Sequence, residues 1–323
     1  MMRTFLSHRK TIAALIGIFL LVSAELLSRF VLGLGTPPLY VADPQIEYML
    51  KPDQNVRRFG NHILVNHWGM RSPDFPLHKT NPDEIRILVM GDSVINGGSV
   101  IDQALLSTSL LQKRLQASLG RPVVIGNASA GSWGPGNWLA YVQRYGFFDA
   151  DLVLLLVNSG DYADNPTFAP LDANHPDTQP LFALQEAVFR YLPGYLPTLT
   201  KATANQVTTI SPAEVARGRS DLGQFLSLAE AGSTRKVMVF HHPDRPEFLA
   251  KKYLTGHAEM RALSQELEIP FVDLYPAYAK QGANLYRDGI HHNVQGQKVL
   301  ADALHDAVLA RLASPAPPAV VGR

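Results

Sequence analysis

The sequence predicts an α/β protein with a five-stranded parallel sheet, preceded by one membrane-spanning helix. Five short apolar runs alternate with stretches of helical period in the larger, later part of the chain. The runs are continuously apolar rather than alternating, which is typical of parallel strands covered by helices on both faces. A long apolar stretch near the N-terminus predicts the spanning helix.

The strands are expected at residues 85–90, 123–125, 152–157, 236–240 and 270–272. Helical patterns occupy residues 106–115, 248–267 and 299–312. In such a sheet, functional groups gather outside the carboxyl ends of the strands, so we expect the site at that edge.

Basic residues flank the N-terminal apolar run, which starts at Thr11 and reaches Leu34. This length is sufficient to cross a bilayer, which needs about 20 residues. The flank predicts a cytoplasmic N-terminus, and therefore a single-pass protein of the inner (cytoplasmic) membrane with a periplasmic, extracytoplasmic catalytic domain. Glu25 and Arg29 lie four residues apart near the outer end and can pair on one helix face.

Two alternatives to a membrane anchor remain open for this segment. Val22-Ser23-Ala24 resembles the small-residue cleavage site of a signal peptide, and a buried core helix would also be apolar. We favour the uncleaved anchor because the apolar run continues past that site.

Composition excludes several classes of site. The net charge is +1 and basic residues cluster only at the N-terminus, which argues against a nucleic-acid partner. The chain has no cysteine, so disulfides, thiolate metal sites and a cysteine nucleophile are excluded. We expect neither a metal nor a cofactor.

The chain is expected to divide into four parts. Residues 1–35 form the anchor, 36–84 a strand-and-loop preamble, 85–313 the main domain, and 314–323 a flexible tail. Within the main domain, residues from about 162 to 219 contain many prolines and few strand signals. We interpret them as an insertion near the site, either a lid or substrate wall or a disordered excursion, with a short helix at 181–191.

The first predicted strand ends in Gly91-Asp92-Ser93. A serine directly after a buried strand projects its hydroxyl at the carboxyl edge of the sheet, but it needs a neighbouring base to act as a nucleophile. The tripeptide also occurs in ordinary turns, so it is modest evidence alone.

A second motif, Asp288-Gly-Ile-His291, directly precedes the last predicted helix. An aspartate three residues before a histidine on a tight turn can accept the Nδ1 proton, which leaves Nε2 free to take a proton from serine. A helix-capping turn is the alternative, for which Asn293 is well suited.

Gly91-Asp92-Ser93 followed far downstream by Asp288-x-x-His291 resembles the SGNH/GDSL hydrolases, over roughly residues 85–312. The resemblance implies a three-layer αβα, flavodoxin-like fold and metal-free ester hydrolysis or acyl transfer. It implies that Ser93 is the nucleophile, His291 the general base and then acid, and Asp288 its partner. Backbone amides, including that of Ser93, and an asparagine side chain would form the oxyanion hole.

The second block of the family is similar to the stretch that begins at Asn127. The family's glycine falls at Ser132, directly after Gly131, and the backbone N–H of either residue could serve the oxyanion hole. A structural glycine-rich turn is the alternative.

The third block departs from the family pattern, because Gly160 stands where an asparagine would precede Asp161. Asn158 lies two residues earlier and faces the same side of an extended segment, so it could supply the amide. Alternatively the hole has only two backbone donors, and Asn158 is a turn residue.

Other residues near the strand ends are interpreted as structural. Adjacent His241 and His242 point to opposite faces of a strand and lack a supporting carboxylate motif. The remaining expectations are that His292 is peripheral, that Asp273 caps a turn, that Asp161 orients the second-block loop, and that Trp133 and Trp138 pack in the core or stack on a sugar.

The leading functional hypothesis is a serine-dependent esterase that removes acyl groups, acetyl in particular, from a cell-envelope carbohydrate or lipid through an acyl-enzyme. A polysaccharide O-acyltransferase would use the same site, with a sugar hydroxyl in place of water. A non-catalytic carbohydrate-binding or assembly subunit is the third hypothesis, supported by the missing asparagine before Asp161. No protein partner is predicted.

Overall fold

The computed structural model describes residues 2–192, 210–231 and 236–313, with side chains from residue 8 onward. The strands are β1 (Tyr40–Asp43), β2 (Glu47–Leu50), β3 (Gln54–Arg58), β4 (Asn61–Val65), β5 (Ile85–Gly91), β6 (Val123–Ser129), β7 (Leu152–Val157), β8 (Lys236–His241) and β9 (Phe271–Asp273). The helices are α1 (Met2–Phe30), α2 (Ser93–Asn96), α3 (Ser107–Leu119), α4 (Pro135–Tyr145), α5 (Ala183–Glu186), α6 (Pro212–Glu230), α7 (Arg245–Ala250), α8 (Thr255–Glu266), α9 (Tyr275–Ala279) and α10 (Val294–Ala313).

Strands β5 to β9 form one parallel sheet in the order β6-β5-β7-β8-β9, which confirms the predicted fold class. This is the flavodoxin-like order, in which the chain reverses direction across the sheet between the first and third strands. The carboxyl ends of β5 and β7 therefore form the crevice where a ligand is expected. Ser93 follows β5 and Asn158 follows β7, so both lie at this point.

Two hydrophobic cores cover the two faces of the sheet and make the domain three-layered. Leu88 and Leu155 belong to the first core, with side chains from α4, α6 and α8. Ile87 and Leu154 belong to the second, with side chains from α3, α7, α9 and α10. Because neighbouring residues of each strand enter opposite cores, the strands are apolar throughout rather than at alternate positions.

The preamble forms two antiparallel hairpins, β1–β2 and β3–β4. Ile46, Tyr48 and Met49 extend from the first hairpin into the core that also contains α4 and α6. The preamble thus packs directly on the domain that contains the parallel sheet, rather than forming a loose linker between that domain and α1.

Helix α1 is long and apolar enough to cross a membrane. Its segment His8–Phe30 has a mean hydropathy of 2.1, and 6% of it is buried against the rest of the protein. A signal sequence would have the same length and composition, so these properties alone do not distinguish the two.

Three helices differ from the sequence expectation. The single helix predicted over 248–267 is two, because α7 ends where Lys251 adopts a left-handed conformation with φ of 52°. Helix α4 was not predicted, since Pro135 at its first turn reads as a breaker although it suits that position. Helix α6 begins at Pro212, inside the region interpreted as insertion, with Ser211 and Glu214 forming a capping box. The predicted tail, residues 314–323, lies outside the described residues.

Candidate active site

Ser93 is the first residue of α2, at the carboxyl end of the interior strand β5, which lies between β6 and β7. The carboxylate of Asp92 caps this short helix by accepting the Val94 N–H at 2.8 Å. The residue before Asp92 must be glycine, because a Cβ at Gly91 would lie 2.7 Å from the carbonyl oxygen of Leu156. The tight turn therefore holds the hydroxyl of Ser93 at the edge of the sheet.

The structure brings the three predicted catalytic residues together. His291 Nε2 lies 2.8 Å from Ser93 Oγ, although the two residues are 198 positions apart. His291 Nδ1 lies 2.9 and 3.0 Å from the two carboxylate oxygens of Asp288. This arrangement matches the nucleophile, base and orienter that the sequence predicts, in the geometry that activates a serine in proteins with such a triad.

Asp288 is held in its ionised form by the turn that carries it. Partial burial raises its pKa, but backbone N–H groups of Ile290 and His291 and the His291 side chain outweigh burial, so the pKa lies below its ordinary value. The N–H bonds to Asp288 Oδ1 measure 3.0 Å from Ile290 and 2.7 Å from His291. A carboxylate at neutral pH can orient His291 and stabilise the imidazolium that forms when it takes a proton.

Two buried aspartates, Asp92 and Asp161, lie on either side of the Asn158 amide, next to Ser93. The Asn158 Nδ2 donates to Asp92 Oδ2 at 3.0 Å and to Asp161 Oδ1 at 2.7 Å. The Asn158 backbone N–H donates to the other Asp161 oxygen at 2.8 Å. Burial raises the pKa of Asp92 to about 7, and burial together with the nearby Asp92 raises that of Asp161 well above its ordinary value.

Both N–H groups of the Asn158 side chain are therefore engaged by carboxyl groups. Gly160, at the position of the family's asparagine, donates its own N–H to Asn158 Oδ1 at 2.7 Å. A role for Asn158 as oxyanion donor would require its amide to leave one of the two carboxyl groups, and that role stays a prediction.

The second-block loop follows β6 beside the nucleophile. Ser132 adopts a left-handed backbone conformation with φ of 55°, which favours glycine and so explains the glycine that the family resemblance places there. The Tyr48 hydroxyl donates to the Gly131 carbonyl at 2.6 Å, so the preamble helps to hold the loop. Among the described residues, no acceptor is hydrogen-bonded to the backbone N–H groups of Ser93, Gly131 or Ser132. These groups match the predicted backbone donors.

Polar residues inside the sheet position α2, and sequence reasoning did not assign them this role. Asn127 in β6 donates to the Ile95 carbonyl at 3.0 Å, and Asn96 donates to the Ser129 carbonyl at 2.9 Å. Asn127 and Ser129 are fully buried in an otherwise apolar strand, which is the sequence signal that could have revealed them.

Three features of the chain agree with the resemblance noted in the sequence: the strand order, the serine after the first sheet strand and the Asp-x-x-His turn before the last helix. The chain has a three-layer αβα fold with the flavodoxin-like strand order, and its two motifs resemble those of the SGNH/GDSL hydrolases. No protein-family model and no curated protein sequence matches it.

Solved structures similar to this chain include a lipase/acylhydrolase from Enterococcus faecalis, at 18% identity and a TM-score of 0.45, covering 70% of this chain and 96% of that one. The esterase EstA from Pseudoalteromonas sp. is similar at 15% identity and a TM-score of 0.44, covering 71% and 99%. A two-domain esterase active on acetylated mannans is similar at 12% identity and a TM-score of 0.48, covering 73% of this chain and 51% of that one.

The adjacent histidines at the end of β8, His241 and His242, contact different partners, in agreement with the prediction that they point to opposite faces. His241 Nε2 lies 2.9 Å from Ser159 Oγ. His242 Nε2 lies 2.8 Å from the carbonyl oxygen of Ile290, directly before His291. His242 thus supports the turn that carries the predicted base, a contact that sequence reasoning missed because the two segments are distant in the chain.

One minor expectation is wrong and two hold. His292 is 1% exposed, and its ring packs against those of His242 and Tyr278. Asp161 bonds to Asn158, not to the second-block loop. Asp273 does cap a turn, accepting the Tyr275 N–H at 2.9 Å. Trp133 and Trp138 are buried core residues and cannot stack on a sugar.

Proposed function

We propose that this protein is a serine esterase of the SGNH/GDSL type, anchored in the inner membrane, that hydrolyses acyl esters on the periplasmic side. The single observation that carries the proposal is the hydrogen-bonded series from Asp288 through His291 to Ser93. In this series an ionised carboxylate orients an imidazole, and the imidazole can take the proton of a serine hydroxyl. Such an arrangement is typical of serine nucleophiles in acyl transfer.

The reaction would proceed through an acyl-enzyme. Ser93 Oγ attacks the ester carbonyl while its proton passes to His291 Nε2, and the oxyanion of the tetrahedral intermediate meets the backbone N–H groups of Ser93 and of Gly131 or Ser132. The intermediate collapses with loss of the alcohol, which takes the proton from His291. A water molecule then loses a proton to His291 and attacks the acyl carbon. The second tetrahedral intermediate collapses to the acid, and Ser93 Oγ takes the proton back from His291.

The substrate class follows from location rather than from any one residue. An enzyme held outside the cytoplasm by α1 meets the carbohydrates and lipids of the cell envelope. An acetyl group on such a carbohydrate is the smallest acyl substrate and our preferred one. If a sugar hydroxyl replaces water in the second half-reaction, the same site becomes an O-acyltransferase.

An active-site serine probe tests the proposal directly. A fluorophosphonate should label the intact, detergent-solubilised protein at Ser93, and Ser93→Ala and His291→Ala should each abolish labelling. Ser220→Ala on the exposed face of α6 and His78→Ala on the surface are matched controls that should label normally. Absence of labelling in folded wild-type protein would contradict the proposal and favour a carbohydrate-binding subunit.

A second measurement separates the two catalytic outcomes. An aryl acetate is supplied with and without a polysaccharide acceptor, and the released acetyl group is followed into solution or onto sugar. We expect acetate in solution in both cases. Transfer to sugar, with little release into water, would identify an acyltransferase instead.

A further inference from the structure

The anchor and the insertion are joined by a polar contact near the outer end of α1. The Glu25 carboxylate accepts the backbone N–H groups of Ala183 at 3.0 Å and Leu184 at 2.8 Å, which are unsatisfied donors at the start of α5. Arg29 donates to the same carboxylate at 2.9 Å. This contact explains why a glutamate and an arginine lie in an otherwise apolar helix.

The other side of α5 is fastened to the preamble. Glu186 accepts the Gly35 N–H at 2.7 Å and forms a buried ion pair with Arg58 at the end of β3. Gly33, just after α1, contacts the adjoining turn so closely that a Cβ there would lie 2.4 Å from the Phe59 nitrogen. The catalytic domain is thus fixed to the end of α1 rather than connected by a free tether.

The segment that makes these contacts, residues 181–192, also exposes large apolar side chains. Leu181 is 83% exposed, Phe182 60% and Phe189 77%, while Ala183 and Glu186 point inward and are buried. A π-helical turn, Ala187–Tyr191, continues α5 and carries Phe189. The segment is therefore amphipathic, with its apolar side turned away from the protein.

This apolar side is continuous with the outer part of α1. One open groove is lined by Leu21, Val22 and Leu26 of the anchor and by Phe182, Val188 and Phe189 of the segment. Leu249 and Leu254, elsewhere in the described part of the chain, are also exposed apolar side chains, but they do not line this groove. A contiguous exposed apolar patch marks an interaction surface.

The position of the segment along α1 points to the occupant. Lys10 and Arg29 are separated by about 28 Å of helix at 1.5 Å per residue, close to the hydrocarbon thickness of about 30 Å. When Lys10 lies at the inner boundary, Arg29 and Glu25 lie near the outer one. The docked segment is then at the level where amphipathic helices place their apolar side chains among lipid.

We infer that residues 181–192 lie in the outer interface of the same bilayer that α1 crosses, with Phe182, Val188 and Phe189 inserted among the acyl chains. A second membrane contact beside the anchor prevents the domain from rotating freely about α1. One cavity connects the segment with the turn that follows Ser93. It is lined by Asn96 and Gly98 of that turn, by Arg58 of β3 and by Arg190 of the segment. The catalytic edge is therefore held close to the membrane surface, whatever ester it cleaves.

The absence of cysteine makes a site-specific test straightforward. Phe182→Cys and Phe189→Cys are each spin-labelled in the intact chain, whose mass confirms that α1 is retained, and are reconstituted as single copies in lipid nanodiscs. Leu249→Cys and Leu254→Cys are matched controls, since these leucines are each 58% exposed in the catalytic domain. Fluorophosphonate labelling of Ser93, or circular dichroism if that reaction is absent, verifies folding.

We expect oxygen to relax the labels at positions 182 and 189 more than an aqueous nickel chelate does, with the reverse order at positions 249 and 254. Glu25→Ala, which removes the contact with Ala183 and Leu184, should shift the label at position 189 toward the aqueous order. Equal access of the nickel chelate at all four positions would overturn the inference. So would labels at 182 and 189 that neither reagent reaches, because the patch would then be covered by protein.

Discussion

Two aspartates on either side of Ser93 experience opposite environments. Asp288, on the histidine side, is 47% exposed, accepts two backbone N–H groups, and has a lowered pKa. Asp92, on the sheet side, is buried beside a second buried aspartate, Asp161, and has a pKa raised to about 7 by burial. The same side chain is a permanent charge in one place and a weak acid in the other.

Residue type alone does not set the role of a carboxyl group near Ser93. The exposed group can stabilise an imidazolium because it stays ionised. The buried pair can only be structural or proton-sharing, since two adjacent desolvated carboxylates cannot both ionise at low cost. Divergent pKa values in one site are also the usual sign of an acid–base assignment.

The largest expected effect is on catalysis, at the exposed side. Asp288→Asn should lower kcat by about 10²- to 10⁴-fold, because the amide favours the wrong tautomer of His291. The free energy of unfolding should change by less than about 1 kcal/mol, since the side chain is half exposed. Ester hydrolysis and urea unfolding measure the two quantities.

Asp306→Asn is the matched control, because Asp306 pairs with His305 Nδ1 at 3.1 Å on the surface of α10, away from Ser93. It should alter neither quantity. Similar kinetics for both variants would show that Asp288 does not orient the base.

The next largest effect is on stability, at the buried side. Asn158→Ala should lower the free energy of unfolding by about 1–3 kcal/mol, because Asp92 and Asp161 both lose their shared donor. If Asn158 also serves the oxyanion, kcat should fall by about 10²- to 10³-fold in addition. Asn165→Ala, which removes an amide that donates only to backbone carbonyls, should cost less. Wild-type stability in Asn158→Ala would contradict the structural role.

The pH dependence of stability should have opposite signs on the two sides. The pKa of Asp92 rises from 3.8 to about 7, so its contribution is complete below about pH 4 and is lost as pH rises through about 7. The lowered pKa of Asp288 gives a contribution that is present above about pH 4 and is lost as pH falls below it.

Urea unfolding across this range tests the sign. Wild-type stability should contain a component that falls by up to about 1.4 kcal/mol per pH unit between about pH 4 and pH 7. Asp92→Ser should reduce that component without removing it, because burial also raises the pKa of Asp161, whereas Asp288→Asn should leave it in place. An equal slope in wild type and Asp92→Ser would show that Asp92 is ionised in the folded protein.

The smallest effect concerns the loop that completes the site. Ser132→Gly should raise the free energy of unfolding by up to about 1 kcal/mol, because the left-handed conformation of Ser132 disfavours a side chain. Ser99→Gly, in the helical turn Gly98–Val100, should instead lower it by about 0.5–1 kcal/mol through added chain entropy. Thermal unfolding of both variants measures the contrast, and a loss of stability in both would contradict the strain at Ser132.

The strands of the sheet, their order along the chain and the two motifs that carry Ser93 and His291 could be predicted from the sequence alone. Short apolar runs bounded by turn signals and alternating with helical patterns indicate strands buried on both faces, and Asp288 and His291 interact through a local turn whose geometry is set within three residues. A serine that directly follows such a strand must lie at the carboxyl edge.

Only the tertiary structure decided what surrounds these residues. The engagement of Asn158 by Asp92 and Asp161 joins the ends of two strands, and the support of the His291 turn by His242 joins segments about fifty residues apart. The contact of Glu25 with Ala183 links the anchor to the insertion. Burial and long-range hydrogen bonds depend on which parts of the chain meet, and no local spacing in the sequence specifies that.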